Sequence, residues 1–433
     1  MEIHDLENNL LFVYDKWDKE SNTPYINLTN NKISHDCFEN IELFFDFYER
    51  YYKEAFGSQL KYNFYNYNLN DIEKYPNKSF LYPIKTRNAL HELSDISESV
   101  FQKLRKFKNF KLLIVKEHEC ISTIEENKFC EFLSSKNIRK DSIVILSNTL
   151  SNNSSDINYY NISLVAKTSS SIFSQLNSKF VKNKSGKFFL CHNHTSKIHR
   201  LLLLAILDFY DILNDTNYSY ISKNNNNLDL NNLVNEFRFL NERDLQFLYK
   251  SILKINNDCP KYSEYEIDYN CYKKDGSVDN SNFENLNGLA GVSGGLLTLE
   301  VPKTLEQSYI NIVTESLYED FNKIHITEKS IRPFYFNQIP LILGSKNHIS
   351  KMKEKYGFDF YDDIIDHSYD NISSNKDRFY EFVKEIRRLH KNKQQIIDFF
   401  NNNETRFKKN QEIVKNIPYI KDDFKLISKL CKN

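Results

Sequence analysis

Short apolar runs alternate with longer stretches of helical periodicity through most of this chain of 433 residues, and no other feature restricts its fold as strongly. A short apolar run bounded by turn residues reads as a strand buried on both faces, and the helical stretch after it carries the chain back over the sheet. Repetition of that unit predicts an α/β protein with mainly parallel sheets. Candidate strands in the first part are residues 10–14, 62–67, 80–84, 111–115, 142–146 and 159–165, with helical patterns at 39–55, 89–106 and 124–134. A polar stretch at 177–187, containing Lys179, Lys182, Lys184 and Gly186, marks a boundary, and a second series begins directly after it. That series reads strand 187–191, helix 195–213, strand 218–222, helix 233–255, strand 309–314, helix 328–336, strand 340–344 and helix 347–355. A polar, aromatic loop or insertion over 258–295 interrupts it, and from residue 375 the pattern is helical almost to the end.

The expected organisation is an N-terminal α/β domain over residues 1–182, a second α/β domain over 183–372, and a helical segment over 373–433 packing across both. Open α/β sheets take ligands beyond the carboxyl ends of their strands, so two such domains facing one another would enclose a site in the cleft between them.

Composition removes several classes. Lys+Arg and Asp+Glu each number 58, and a chain without net charge lacks the surplus of cations needed to coat nucleic acid or an anionic membrane. The seven cysteines, at 37, 120, 130, 191, 259, 271 and 431, are scattered and never spaced C-x-x-C. Neither a zinc site nor a disulfide framework is expected, and a reducing compartment is favoured. Acidic residues precede the first apolar stretch, the wrong order for a secretory signal, and the longest apolar run, 201–207, is far too short to span a bilayer. The expectation is a soluble, cytoplasmic protein with no transmembrane segment.

The first segment with chemistry runs F-F-L-C-H-N-H-T-S-K-I-H-R over residues 188–200. An apolar strand leads into Asn193, Thr195 and Ser196, any of which would cap the next helix and leave its first amides facing the cleft. Lys197 and Arg200 follow three residues apart on one face, a spacing that suits a diphosphate and equally suits two solvated helix charges. His192, His194 and His199 share the stretch. No carboxylate or cysteine stands at a supporting spacing, so a metal site is not expected there.

The second segment is richer. Y-I-N-I-V-T-E-S over 309–316 is a strand ending in Thr314, Glu315 and Ser316; I-T-E-K follows at 326–329, and R-P-F-Y-F-N-Q-I-P-L-I-L-G fills 332–344. Thr327 is a good N-cap, which puts Glu328 and Lys329 in the first turn of a helix. A Glu there could accept two sugar hydroxyls, and a Lys could neutralise a phosphate oxygen. Further on, Asp359, Asp362, Asp363, Asp366 and Asp370 could line a cleft or bind a cation, although a solvated connection with Phe358, Phe360 and Ile364 packed inward accounts for them more simply.

Taken in order, an apolar strand ending in Glu and a hydroxyl residue, then T-E-K, an apolar helix and I-P-L-I-L-G resemble the C-terminal domain of GT-B glycosyltransferases of the α1,3-fucosyltransferase type. The resemblance is close over 310–344, looser over 188–213 and absent from the N-terminal domain. It implies a GT-B-like fold of two facing Rossmann-like domains, and an inverting transfer of a sugar from a nucleotide-diphosphate donor, GDP-linked in that family, to a glycan or other hydroxyl acceptor. It further implies Glu328 on the ribose, Lys329 on the diphosphate, Glu315 and Ser316 near the transferred sugar, and Arg200 or Lys197 as the second phosphate charge. T-E-S replaces the family's E-N-S, His325-Ile326 stands where the family has an aromatic residue before T-E-K, and Asn337-Gln338 replaces a glycine before Pro340. These departures leave the donor sugar open.

No D-x-D triplet occurs, which fits a leaving diphosphate handled by Lys, Arg and helix-end amides, with no metal and no bound cofactor beyond the nucleotide-sugar co-substrate. The general base of an inverting enzyme would come from residues 1–182, where Asp15, Glu117 and Glu119 follow apolar strands and nothing ranks them. Two other functions compete. One is a non-catalytic protein that binds a glycan or nucleotide, motivated by the T-E-S departure. The other is a viral-type transferase acting on DNA, for which the cluster Lys103, Arg105, Lys106 and Lys108 would have to form a basic groove.

Overall fold

The computed structural model describes residues 9–14, 17–18, 23–24, 63–85, 93, 96–116, 121–147, 149–151, 159–161, 178–193, 197–220, 242–258, 304–320 and 322–417. The helix expected at 39–55, the insertion at 258–295 beyond its first residue, and Asp15, Glu117, Glu119, His194, Thr195 and Ser196 lie outside them. The chain divides into two compact units: Met1–Lys167 with Asn322–His325 and Pro418–Asn433, and Thr168–Phe321 with Ile326–Ile417.

In the first unit, β1 (Asn9–Tyr14), β2 (Asn63–Asn68), β3 (Phe80–Lys85), β4 (Phe110–Lys116), β5 (Ile143–Ser147) and β6 (Tyr159–Asn161) form one sheet in the order β2-β1-β3-β4-β5-β6. Every pairing in it is parallel. All five residues of β5 are buried, as expected of a strand in a parallel sheet. Helix α1 (Glu98–Lys106) buries Val100, Phe101 and Leu104, one stripe at helical spacing. Helix α2 (Thr123–Ser135) buries Phe129 and Leu133 and starts at Ser122, whose hydroxyl accepts the Glu125 amide at 3.1 Å.

A short strand, Thr149–Ser151, pairs antiparallel with Lys323–His325, so a distant part of the chain supplies a strand to this unit. Lys323, 2% exposed, meets the carboxylate of Glu126, and Lys116, also 2% exposed, lies 2.5 Å from Glu125. Each buried ammonium therefore has its own carboxylate, the condition under which burial of a charge is tolerated.

In the second unit, β7 (Phe189–His192), β8 (Thr216–Ser219), β9 (Ile310–Thr314) and β10 (Ile339–Leu343) pair in parallel in the order β8-β7-β9-β10. β9 and β10 are buried at all five positions. Pro340, which has no amide to donate, sits in β10, at the edge of the sheet, where the missing donor is tolerated. Helix α3 (Ile198–Phe209) is buried from His199 to Leu207, α4 (Glu242–Asp258) packs against it, α5 (Glu328–Tyr335) packs on β10, and α6 (His348–Tyr356) follows β10 in the chain.

Helix α3 starts at Ile198 and ends where Asp211 takes a left-handed conformation (φ 57°), with the Ile212 amide returning to the Leu207 carbonyl at 2.8 Å. The helical C-terminal pattern resolves into α7 (Asn375–Lys391), α8 (Lys393–Asn402) and α9 (Glu404–Lys415), broken at Asn392 and Asn403. These helices belong to the second unit: Arg406 of α9 forks onto Asp359 and Asp363, and Gln411 donates to the Tyr335 carbonyl at 2.7 Å. No helix among the described residues is long and apolar enough to cross a membrane.

Candidate functional site

The strand order of the second sheet reverses between β7 and β9, since β8 lies outside β7 and β10 outside β9. Beyond the carboxyl ends of such a pair a sheet of this kind opens a crevice. The loops that leave β7 and β9 carry the residues singled out in the sequence.

A chain of polar groups crosses those strand ends. Arg200, 1% exposed, donates from Nε to Thr314 Oγ1 at 3.1 Å and from Nη2 to the Thr314 carbonyl at 3.0 Å. Thr314 Oγ1 donates to Asn193 Oδ1 at 2.5 Å, and the Asn193 amide bonds the Ser219 carbonyl at 3.0 Å. Asn193 is thus committed to the strand ends and does not cap α3, whose capping position is Lys197 with no side-chain bond. Burial pulls the Arg200 guanidinium below its usual value, opposed by the charges of Glu315 and Glu328. Lys197 and Arg200, expected on one face, part company: Lys197 is exposed and its Nζ donates to the Ser316 carbonyl at 2.8 Å, whereas Arg200 points inward.

Glu315 is fully buried. Its carboxylate accepts the Thr327 amide at 3.2 Å, the Thr327 hydroxyl at 2.9 and 3.0 Å, and the Ser330 hydroxyl at 2.5 Å. The twelve-residue separation of T-E-S and T-E-K in sequence is therefore closed by a carboxylate that sits on the first turn of α5. Ser330 Oγ in turn accepts from His348 Nε2 at 3.1 Å, while His348 Nδ1, also buried, has no partner among the described residues. Gly344 is required beside it, because a Cβ there would come within 2.8 Å of that nitrogen.

Thr327 caps α5 as its residue type predicts, accepting the Lys329 amide at 3.2 Å. Glu328, 9% exposed, and the half-buried Lys329 pair with each other at 2.5 Å, and Ser316 is half-buried. The helix ends with Asn337 in the left-handed region (φ 50°) and the Gln338 amide on the Pro333 carbonyl at 2.8 Å. That bond explains why a residue tolerant of left-handed geometry occupies the glycine position of the motif.

Sequence reasoning passed over Arg332. It is half-buried on α5, its Nε is sealed from water without an acceptor among the described residues, and its charge is felt at His192, at the end of β7. The signal was available in the spacing, because Glu328, Lys329 and Arg332 lie on one side of a helix. Around the strand ends, then, four cations (Lys197, Arg200, Lys329 and Arg332) face two carboxylates (Glu315 and Glu328). The nearby histidines add no charge: burial, helped by Arg200 and Lys197, takes His199 down to about 3, and burial also depresses His192 and His348.

No group of three or more His, Cys, Asp or Glu among the described residues could hold a metal ion. A cleft of about 520 Å³ lies elsewhere, between α6 and α7, lined by Ile349, Lys353, Asp362, Asp366 and Arg388 among others. Its carboxylates are occupied. Asp362 pairs with Lys353 at 2.6 Å, Asp363 with Arg406 at 2.8 Å, and Asp370 accepts the Ile349 and Ser350 amides at 3.0 Å, at the start of α6. In the first unit, Lys103 and Lys106 share Glu73 and Arg105 pairs with Glu98, so three of the four expected basic residues each have a carboxylate within reach.

Comparison of the chain with protein-family models, with characterised proteins and with solved structures finds no match.

Proposed function

We propose that this chain is a GT-B-type glycosyltransferase that moves a sugar from a nucleotide-diphosphate donor, GDP-linked in the first instance, to a hydroxyl of a glycan or similar acceptor. The observation that carries the reading is the convergence of T-E-S, T-E-K and the first turn of α3 at the switch point of a parallel sheet, with cations in excess there. Such a place suits a diphosphate, whose negative charge grows as it departs.

In this reading Glu328 takes the ribose hydroxyls and Lys329 a phosphate oxygen, which requires the 2.5 Å pair between them to open on binding. Lys197 supplies a second charge from the exposed side, and Ser316 lies nearest the sugar. Glu315 and Arg200 act from behind by fixing the first turn of α5 and the ends of β7 and β9. The acceptor oxygen attacks the anomeric carbon, the bond from that carbon to the diphosphate oxygen breaks, and the acceptor proton passes to a carboxylate acting as general base.

Purified protein incubated with a panel of nucleotide-sugars should hydrolyse or transfer from at least one, and Lys329→Ala should lose that turnover while its melting temperature stays within a few degrees of wild type. No response to any donor would sink the proposal. Tight binding without turnover would favour a protein that only recognises the nucleotide. The DNA-modifying alternative draws little from the Lys103 cluster, in which Lys103 and Lys106 lean on Glu73 and Arg105 on Glu98.

A further inference from the structure

We propose that Arg332 is the residue that grips phosphate at the carboxyl edge of the second sheet, and that the buried Arg200 is structural. The inference deepens the reading above and rests on it for the identity of the ligand, a diphosphate; the geometry behind it is independent.

Every other arginine whose side chain is described donates to a carbonyl, hydroxyl or carboxylate, or lies over an aromatic ring. Arg332 does neither among the described residues, and its Nε is shut off from water with no acceptor. A buried donor left unmade costs about 1 to 3 kcal/mol, more when the group is charged. Such an arrangement is worth keeping where an anion completes it.

Four features aim this guanidinium at the strand ends. Helical side chains lean toward the helix N-terminus, which here is the end bearing Thr327 and the Glu328–Lys329 pair. The charge of Arg332 is felt at His192, the last residue of β7, which puts the guanidinium in the neighbourhood of that strand end. Glu328, the natural partner four residues earlier, is turned to Lys329 and leaves Arg332 uncompensated. Finally, Glu315 already occupies the first turn of α5, accepting the Thr327 amide and two hydroxyls, so a second anion must be met by side chains. A planar guanidinium with parallel N–H groups matches two phosphate oxygens at once, which an ammonium cannot do. Arg200 offers no such surface, since it is 1% exposed and bonded to Thr314 through both Nε and Nη2.

The test is calorimetric titration of the full chain with inorganic pyrophosphate and with a nucleoside diphosphate, at low salt, for wild type, Arg332→Gln and Arg332→Lys. Arg332→Gln should bind both ligands at least tenfold more weakly with unchanged circular dichroism, and Arg332→Lys should recover only part of the loss. Equal binding by wild type and Arg332→Gln, or no binding of pyrophosphate by wild type, overturns the inference. The two proposals separate cleanly. Full nucleotide-sugar turnover by Arg332→Gln would refute the role of Arg332 and leave the transferase standing. Pyrophosphate bound through Arg332 in a protein that binds no nucleotide-sugar would do the reverse.

Discussion

At the scale of single residues, the second unit is organised by charges taken out of water. Glu315 follows an apolar strand and, read from sequence, faces a cleft; in the fold it turns back and holds three donors of α5. Replacing it with Ala strands those donors, each at about 1 to 3 kcal/mol, so a loss of at least about 3 kcal/mol is expected. Hydrogen exchange at the amides of β9 and β10 measures it, and a loss below about 1 kcal/mol would contradict the network.

The buried histidines make a second prediction. His199, at about 3, and His192, His348 and His367, all depressed by burial, are neutral in the folded unit. Below the ordinary value of about 6.5 the unfolded chain binds protons that the folded one refuses, so stability is highest above that pH and falls as pH drops toward 5, by up to about 1.4 kcal/mol per pH unit for each group. Exchange protection measured between pH 7.5 and 5 should show the decline, and His199→Gln should make it shallower by one group's share. No dependence on pH would mean that these rings are not held neutral. Burial of this kind was not legible in the sequence. The spacing of Lys197, His199 and Arg200 places them near one another but cannot say that the exposed residue of the three is Lys197.

At the scale of elements, the strands were legible because their apolar runs are continuous: the runs at 310–314 and 339–343 are buried at every position, and the structure moves their expected edges by one residue. The cap of α5 was legible too, since Thr at the head of an apolar helix does what its hydroxyl allows. The pairing of Thr149–Ser151 with Lys323–His325 was not. Both strands are three residues long, neither is apolar throughout, and the partner that makes Lys323 a buried residue, Glu126, is far away in sequence. The far end of α5 offers a test. Asn337 has a left-handed backbone and two buried side-chain polar atoms without partners, so Asn337→Gly should match or exceed wild-type stability, whereas Asn337→Ala should lose about 1 kcal/mol or more. Ranked melting temperatures decide it, and an Ala variant more stable than Gly would contradict the assignment.

At the scale of the whole molecule, the chain consists of two parallel α/β units, and its zero net charge hides a local imbalance. In the first unit the basic residues of α1 share two carboxylates, Glu73 and Glu98, and at the strand ends of the second unit Lys197, Arg200, Lys329 and Arg332 stand with Glu315 and Glu328. A protein built this way needs no basic surface to hold a polyanion, only one small place where charge is left over. Titrating the full-length protein with nucleoside diphosphates and their sugar conjugates, while following amide exchange, tests that claim most directly. Binding of at least one, with new protection confined to the ends of β7 and β9 and the first turn of α5, is the predicted result; no binding at all, or protection that leaves those segments unchanged, would contradict it.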